Sequence, residues 1–187
     1  MRIIAGKYRG KKILQPKDLT TRPLKDLTKE SIFNIIIHSN KFDIELENSN
    51  VLDLFSGVGS FGLECLSRGS TKLTFVENYK EVLKILKKNI SSLNYEKESS
   101  VIEKDILKNF NYQTLDNKFN IIFMDPPYKE KNLSVMLLQI LNSKILDNKG
   151  IIIIHRQKND EDSLPKEFKI IEEKIYGISR VIFGNFN

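Results

Sequence analysis

The chain has 187 residues, 40% of them apolar and 29% charged, a formal net charge of +6, two histidines and one cysteine. That length fits one domain with a small appendage, and the apolar share suits a packed core and is too high for a disordered chain. Apolar runs such as Ile151 to Ile154 fall far short of the roughly 20 residues that cross a bilayer, no signal-peptide stretch opens the chain, and Cys65 alone can build neither a disulfide nor a thiolate metal centre, so a soluble, cytoplasmic protein without a metal site is expected.

The charge is unevenly placed. Residues 1–30 carry nine basic and three acidic side chains, a surplus of six, and the other 157 residues carry 21 of each. Lysine outnumbers arginine 24 to 6, a bias that raises lysine everywhere but does not gather the surplus at one end. The asymmetry points to a neutral body with a basic N-terminal device for a polyanion.

In chain order, residues 2–14 alternate weakly around two glycines and predict a short hairpin with a basic tip. Pro23 biases Arg22 away from helix, so Thr20 to Pro23 reads as an extended connection. Residues 1–24 are taken as hairpin and linker, and 25–187 as the main domain. Lys25 to His38 predicts a helix with Leu27, Phe33 and Ile35 to Ile37 inward.

An alternating pattern follows. Val51 to Phe55 reads as a strand that ends in a glycine turn, and Ser60 to Arg68 as a helix. Lys72 to Val76 is a strand closed by Glu77. Lys80 to Leu93 is a helix, with Val82, Leu83, Leu86, Ile90 and Leu93 at helical spacing. Ser100 to Glu103 and Phe119 to Met124 are strands, Asn132 to Asn142 a helix, and Lys149 to His155 a strand. Phe168 to Tyr176 and Ile178 to Phe183 form a final antiparallel hairpin. Such alternation implies an α/β fold with a mainly parallel sheet covered on both faces. Ligands then bind beyond the carboxyl ends of the strands, where Asp53 to Gly59, Glu77, Asp105 and Asp125 to Tyr128 gather.

Gly57-Val58-Gly59-Ser60-Phe61-Gly62 matches G-x-G-x-x-G between a strand and a helix, a pattern that lets a nucleotide-like ligand approach the backbone. Glu77 closes the next strand, where a carboxylate can accept both ribose hydroxyls of an adenosine. These features suit NAD and S-adenosylmethionine equally. Asp53 separates them. An anion beside the helix N-terminus would repel a pyrophosphate, but it favours the ammonium and sulfonium of S-adenosylmethionine. Asp105 follows a third strand, within reach of an adenine amino group.

Asp125-Pro126-Pro127-Tyr128 is the most specific signal. Two prolines without N–H groups fix a rigid turn past an apolar strand. That turn can aim a backbone carbonyl and the Asp125 carboxylate at the two N–H donors of an exocyclic amine. A ring amine is a poor nucleophile because its lone pair is delocalised, and hydrogen bonds from both N–H groups push the nitrogen toward a pyramidal form. Tyr128 offers a face for base stacking, and in-line placement against a methyl sulfonium would carry much of the rate.

At this point Met1 to Leu14, Arg22-Pro23 with Glu30 to Asn34, Val51 to Gly69, Glu77 and Asp125 to Tyr128 together resemble the bacterial small-subunit ribosomal RNA guanine methyltransferases of the RsmD type. The resemblance spans nearly the whole chain, although the tetrad alone is shared with adenine-specific DNA methyltransferases. It implies a class I S-adenosylmethionine-dependent methyltransferase fold, Rossmann-like, with seven strands, a reversed C-terminal hairpin and a small N-terminal hairpin. It implies methylation of the exocyclic amine of a guanine in small-subunit (16S) ribosomal RNA, free or within an assembled particle, by a monomer. By position, Asp53, Phe55, Gly57 and Gly59 would cradle the methionine part of the cofactor. Glu77 with Asn78 would hold the ribose, Asp105 with Ile106 the adenine, and Asp125, Pro126, Pro127 and Tyr128 the target base. His155 departs from the acidic residue related chains often carry, and the resemblance gives it no role. His38 and Cys65 are read as structural.

Arg2, Lys7, Tyr8, Arg9, Lys11, Lys12 and Arg22 are the expected RNA contacts, as cations for phosphates with one aromatic for a base. Three competing readings are a DNA adenine methyltransferase, which lacks a base-reading region after Tyr128, an NAD-dependent oxidoreductase, which lacks an evident proton-transfer residue, and a non-enzymatic RNA-binding protein with a degenerate methyltransferase fold, which Asp125→Ala would distinguish.

Overall fold

The computed structural model describes all residues except 17–23, 109, 116, 128 and 187. The expectations for Arg22 and Tyr128 therefore lie outside the described residues. In chain order the elements are α1 (Asp26–His38), β1 (Asn50–Leu54), α2 (Ser60–Ser67), β2 (Lys72–Glu77), α3 (Lys80–Ser92), β3 (Ser99–Glu103), a 3₁₀ turn (Tyr112–Thr114), β4 (Phe119–Met124), α4 (Leu133–Ser143), β5 (Leu146–Gln157), β6 (Phe168–Tyr176) and β7 (Ser179–Phe186).

Seven strands form one sheet in the order β3-β2-β1-β4-β5-β7-β6. The pairs from β3 through β5 are parallel, and β7 runs antiparallel to both of its neighbours. The expected mostly parallel sheet with a reversed last hairpin is what the chain forms. Chain order reverses between β1 and β4. This switch point splays the following loops apart and opens a crevice at the strand carboxyl ends.

Both faces of the sheet are covered, so the central strands read as unbroken apolar runs. Val51, Ile121, Phe123, Ile151 and Ile153 face one core with α1, α2 and α3. Leu52, Leu54, Ile122, Met124, Ile152 and Ile154 face the other with α4 and the 3₁₀ turn. In the first core Phe61 stacks between Phe123 (centroids 4.0 Å apart) and Phe33 (5.2 Å), tying α1, α2 and β4 together. Among the described residues no helix is long and apolar enough to cross a membrane.

The N-terminal segment is a tight loop with one antiparallel bridge, Arg2 to Lys12. It is seated on the main body. Ile4 and Ala5 donate backbone N–H groups to the two carboxylate oxygens of Glu64 (2.7 and 2.9 Å), Tyr8 N–H reaches Ser67 Oγ, and Leu14 N–H reaches Asn89 Oδ1.

The rotation of α1 differs from expectation. Phe33 and Ile36 are buried, but Leu27 is 71% exposed, Ile37 is exposed and Lys29 is fully buried. Lys29 Nζ donates to the Arg2 carbonyl (2.7 Å) and to Ser60 Oγ (3.3 Å), and lies 3.4 Å from Glu64. An ion pair, and not the apolar stripe alone, sets which face turns inward. β5 extends beyond its expected ends because Arg156 and Gln157 continue the pairing with β7.

Candidate active site

The site begins where β1 stops. Phe55 turns the chain with a φ of +59°, a left-handed conformation costly for a non-glycine residue and concentrated at functional sites. Gly57 and Gly59 follow with φ of +54° and +84°, which glycine adopts without the Cβ penalty. The turn is braced from behind. Ser56 N–H donates to the Val76 carbonyl, and Gly59 N–H to the Ser56 carbonyl.

Asp53 is buried on the α2 side and accepts the Gly62 N–H from the first turn of α2 (3.0 Å). Burial pushes its carboxyl well above the usual range, and the nearby charges of Asp125 and Glu77 push the same way. The single hydrogen bond from Gly62 opposes this. A buried carboxyl so disfavoured as an anion is stabilised by an incoming cation.

Glu77 ends β2, with Oε2 accepting Gly57 N–H (2.8 Å) and Oε1 accepting the N–H groups of Asn78 and Tyr79 (2.8 and 2.9 Å). Three backbone donors fix its rotamer, and each oxygen still has capacity for a hydroxyl. Asn78 is exposed and contributes its backbone here. Asp105, after β3, accepts Leu107 N–H and lies 3.5 Å from Lys108, while Ile106 is buried in the second core.

Across the switch point, Asp125 follows β4. Its backbone N–H approaches the Leu54 carbonyl (3.4 Å), so the tetrad starts directly beside the end of β1. Its Oδ1 lies 2.9 Å from Nδ1 of His155, and His155 Nε2 lies 3.0 Å from Ser179 Oγ. Arg156 secures the same turn. It is 2% exposed and donates to the carbonyls of Pro127 (3.2 Å) and Glu130 (2.9 Å), while its Nε contacts both Asp162 oxygens (3.0 Å each).

The structure thus brings Asp53, Phe55, Gly57, Gly59, Glu77 and Asp125 to one edge, with Asp105 and Ile106 beyond β2. The basic residues lie elsewhere: Lys7, Arg9, Lys11 and Lys12 are exposed on the N-terminal loop. Tyr8 packs edge-on against Tyr95 (centroids 5.3 Å), which commits the ring to anchoring that loop. Arg2 lies 3.7 Å from Asp26.

Sequence reasoning missed Glu64, Asn89, His155 and Arg156. Glu64 had a signal: it is the single acidic residue of an eight-residue helix that is buried throughout. The others gain their meaning from partners far along the chain.

Acidic strand ends around a glycine turn at the switch point of this sheet define a class I S-adenosylmethionine-dependent methyltransferase, and the residues fit that cofactor: a buried carboxyl for a cation, an anchored Glu77 for a diol and a glycine turn for close approach. The family described as conserved hypothetical protein 95 matches residues 1–185, and the chain belongs to it, the RsmD family. The Haemophilus influenzae protein named ribosomal RNA small subunit methyltransferase D is 32% identical over 180 residues, covering 95% of this chain and 90% of that one. The structure of the Haemophilus influenzae protein HI0767 superposes with a TM-score of 0.76 at 30% identity, covering 100% of this chain and 98% of that one. Escherichia coli yhhF matches in fold, with a TM-score of 0.80 at 24% identity over 98% of this chain and 96% of that one.

Proposed function

We propose that this protein methylates the exocyclic amine of a guanine in small-subunit ribosomal RNA, using S-adenosylmethionine. The observation that carries the reading is the placement of Asp125 beside the end of β1, with its carboxylate held from behind by His155. That puts an amine-binding acceptor next to a cation-favouring pocket. The relatives named as small-subunit ribosomal RNA methyltransferases support the RNA as substrate.

When bound, the cofactor supplies an electrophilic methyl carbon on a sulfonium. Asp53 favours its positive charge, Glu77 receives the ribose hydroxyls, and Asp105 with Ile106 borders the adenine. Asp125 accepts one N–H of the guanine amine. The Pro127 carbonyl already receives Glu130 N–H (2.8 Å) and Arg156, so the Pro126 carbonyl takes the second. The amine nitrogen would form the new N–C bond as the methyl C–S bond breaks, with S-adenosylhomocysteine leaving as the neutral thioether, and the methylated amine would release one proton to water. Orientation of the nitrogen lone pair is the main contribution asked of the protein. Tyr128 would stack on the base. Residues 1–24 serve as the RNA-gripping segment, with Lys7, Arg9, Lys11 and Lys12 on phosphates, and residues 25–187 as the methyltransferase domain.

The test is incubation with labelled cofactor and ribosomal RNA, small-subunit particles or duplex DNA, followed by mass-spectrometric mapping of the modified nucleotide. Label on a guanine amine of the RNA, abolished by Asp125→Ala with RNA affinity retained, is the expected result. Label on adenine in DNA would replace the reading with the DNA enzyme.

A further inference from the structure

We infer that His155, backed by Ser179, is a positioning residue for Asp125 in the methyl-transfer step; this rests on the reading of Asp125 as the residue that receives the guanine amine. β5 lies beside β4 in parallel register, with Met124 opposite Ile154. The next residue on each strand is therefore Asp125 on one side and His155 on the other. The histidine is nearly buried, while the Asp125 side chain keeps 23% of its surface exposed.

With the Asp125 carboxylate ionised and the His155 ring neutral, the chemistry of the three groups sets one direction of the chain. An ionised carboxylate only accepts hydrogen bonds, so the Nδ1 that meets Asp125 Oδ1 at 2.9 Å carries the proton. In the neutral ring Nε2 is then an acceptor, and the Ser179 hydroxyl at 3.0 Å donates to it. Ser179 opens β7 and pairs with Gln157 of β5, so the far end of the chain rests on the sheet. Sheet-anchored hydroxyl, imidazole and carboxylate follow in series.

A carboxylate here needs such support. Asp125 stands close enough to the buried Asp53 for its charge to disfavour ionisation of that carboxyl. Free to rotate, its carboxylate would swing toward solvent. With Oδ1 held by His155, Oδ2 remains for the substrate amine at a fixed angle. A histidine buried only for packing would not need its donor nitrogen turned to a residue that meets the substrate amine.

The test uses the full chain and the RNA substrate that accepts label. His155→Leu removes both contacts, and His155→Asn keeps an N–H donor where Nδ1 stood. Ser179→Ala removes the outer anchor. For His155→Leu we expect kcat to fall about 10- to 100-fold, the cost of a misplaced reacting group, with KM for RNA and the calorimetric affinity for S-adenosylhomocysteine within about twofold. His155→Asn should restore most of kcat, and Ser179→Ala should lower kcat about threefold to tenfold. An unchanged kcat in His155→Leu, a parallel loss of S-adenosylhomocysteine binding, or no rescue by Asn would overturn the inference. Should His155→Leu fail to fold, Ser179→Ala decides: unchanged kcat overturns the positioning role. Asp125→Ala, which removes the acceptor, is the separate control. If it retains activity, the reading of the tetrad fails whatever His155 does.

Discussion

Glu64→Gln should loosen the whole N-terminal half of the protein, although it changes one atom type in one side chain. Glu64 is fully buried on α2. Its Oε2 accepts Ile4 N–H and faces Lys29, and its Oε1 accepts Ala5 N–H and Arg68 Nε (2.8 Å). Glutamine replaces one oxygen with an NH₂ group, so two of these donors would face another donor. Each lost charge-assisted bond is worth about 1.5–3 kcal/mol. Leaving Lys29 buried without its counter-ion belongs to the same class of damage, and breaking a buried pair costs about 3–5 kcal/mol in total. A domain of this size loses about 2–4 °C of Tm per kcal/mol. The expected drop is therefore roughly 6–20 °C by circular dichroism.

The pH dependence gives that reasoning a second check. Burial holds the Lys29 ammonium below its ordinary value of 10.5, against the opposing pull of Glu64. Between the lowered value and 10.5 the unfolded chain binds more protons than the folded one, so the Lys29 contribution to stability rises with pH there. Removing the Glu64 charge lowers the folded value further and widens that window downward. The Tm gap between variant and parent should thus narrow from neutral pH to about pH 9.5. Trypsin should also cut faster at Lys7 to Lys12, because Ile4 and Ala5 lose their tether. A Tm within about 3 °C of the parent, with hairpin cleavage unchanged, would refute the argument.

Other outcomes follow from the same geometry. Because the Asp53 carboxyl is raised, it holds its proton to higher pH in the free protein, and a bound cation favours its release; S-adenosylhomocysteine affinity should rise with pH up to the raised value. Calorimetry in two buffers of different ionisation enthalpy should show proton release in the parent and none in Asp53→Asn. Gly62→Ala would place a Cβ 2.4 Å from Leu73 Cδ2 and 2.5 Å from Phe75 Cε1, an overpacking that should cost about 1–3 kcal/mol in urea unfolding; parental stability would mean that α2 and β2 approach less tightly. Neutralising Lys7, Arg9, Lys11 and Lys12 together should lower the slope of log K against log salt for single-stranded RNA by roughly three, and an unchanged slope would place the RNA elsewhere.

How far the sequence could be read depends on how far apart the partners lie. β4 and β6 run over the residues their patterns predict, because an apolar run ended by Pro126 or a turn at Gly177 marks its own limits. The site positions on β1, β2 and β4 were legible too, since a parallel sheet collects its strand ends on one edge. The face of α1 was not. Its apolar residues lie nearly all round, and Lys29 settles the rotation through Arg2, Ser60 and Glu64, none of them on α1. His155 and Arg156 were opaque for a related reason. In a strand they alternate faces, and only the pairing of β5 with β4 and β7 shows that one holds the Asp125 carboxylate and the other the Pro127 carbonyl.

The charge asymmetry also takes on a different sense. A surplus confined to the first 30 residues reads as an appendage, but the hairpin is joined to the catalytic framework at its base. Glu64 fastens Ile4 and Ala5 to α2, and the same helix lends Gly62 N–H to Asp53. Asn89 of α3 spends its whole amide on the junction, accepting from Leu14 N–H and donating to the carbonyls of Leu14 and Val58, the latter inside the glycine turn. The exposed cations at the tip touch none of this. Glu64 and Asn89 thus join the root of the hairpin to α2 and to the glycine turn, whereas neutralising the exposed cations removes charge without changing those two side chains. On the proposed assignment of Lys7, Arg9, Lys11 and Lys12 to RNA, neutralising them should lower RNA affinity and leave S-adenosylhomocysteine affinity unchanged, whereas Glu64→Gln, at the root of the hairpin, should lower both.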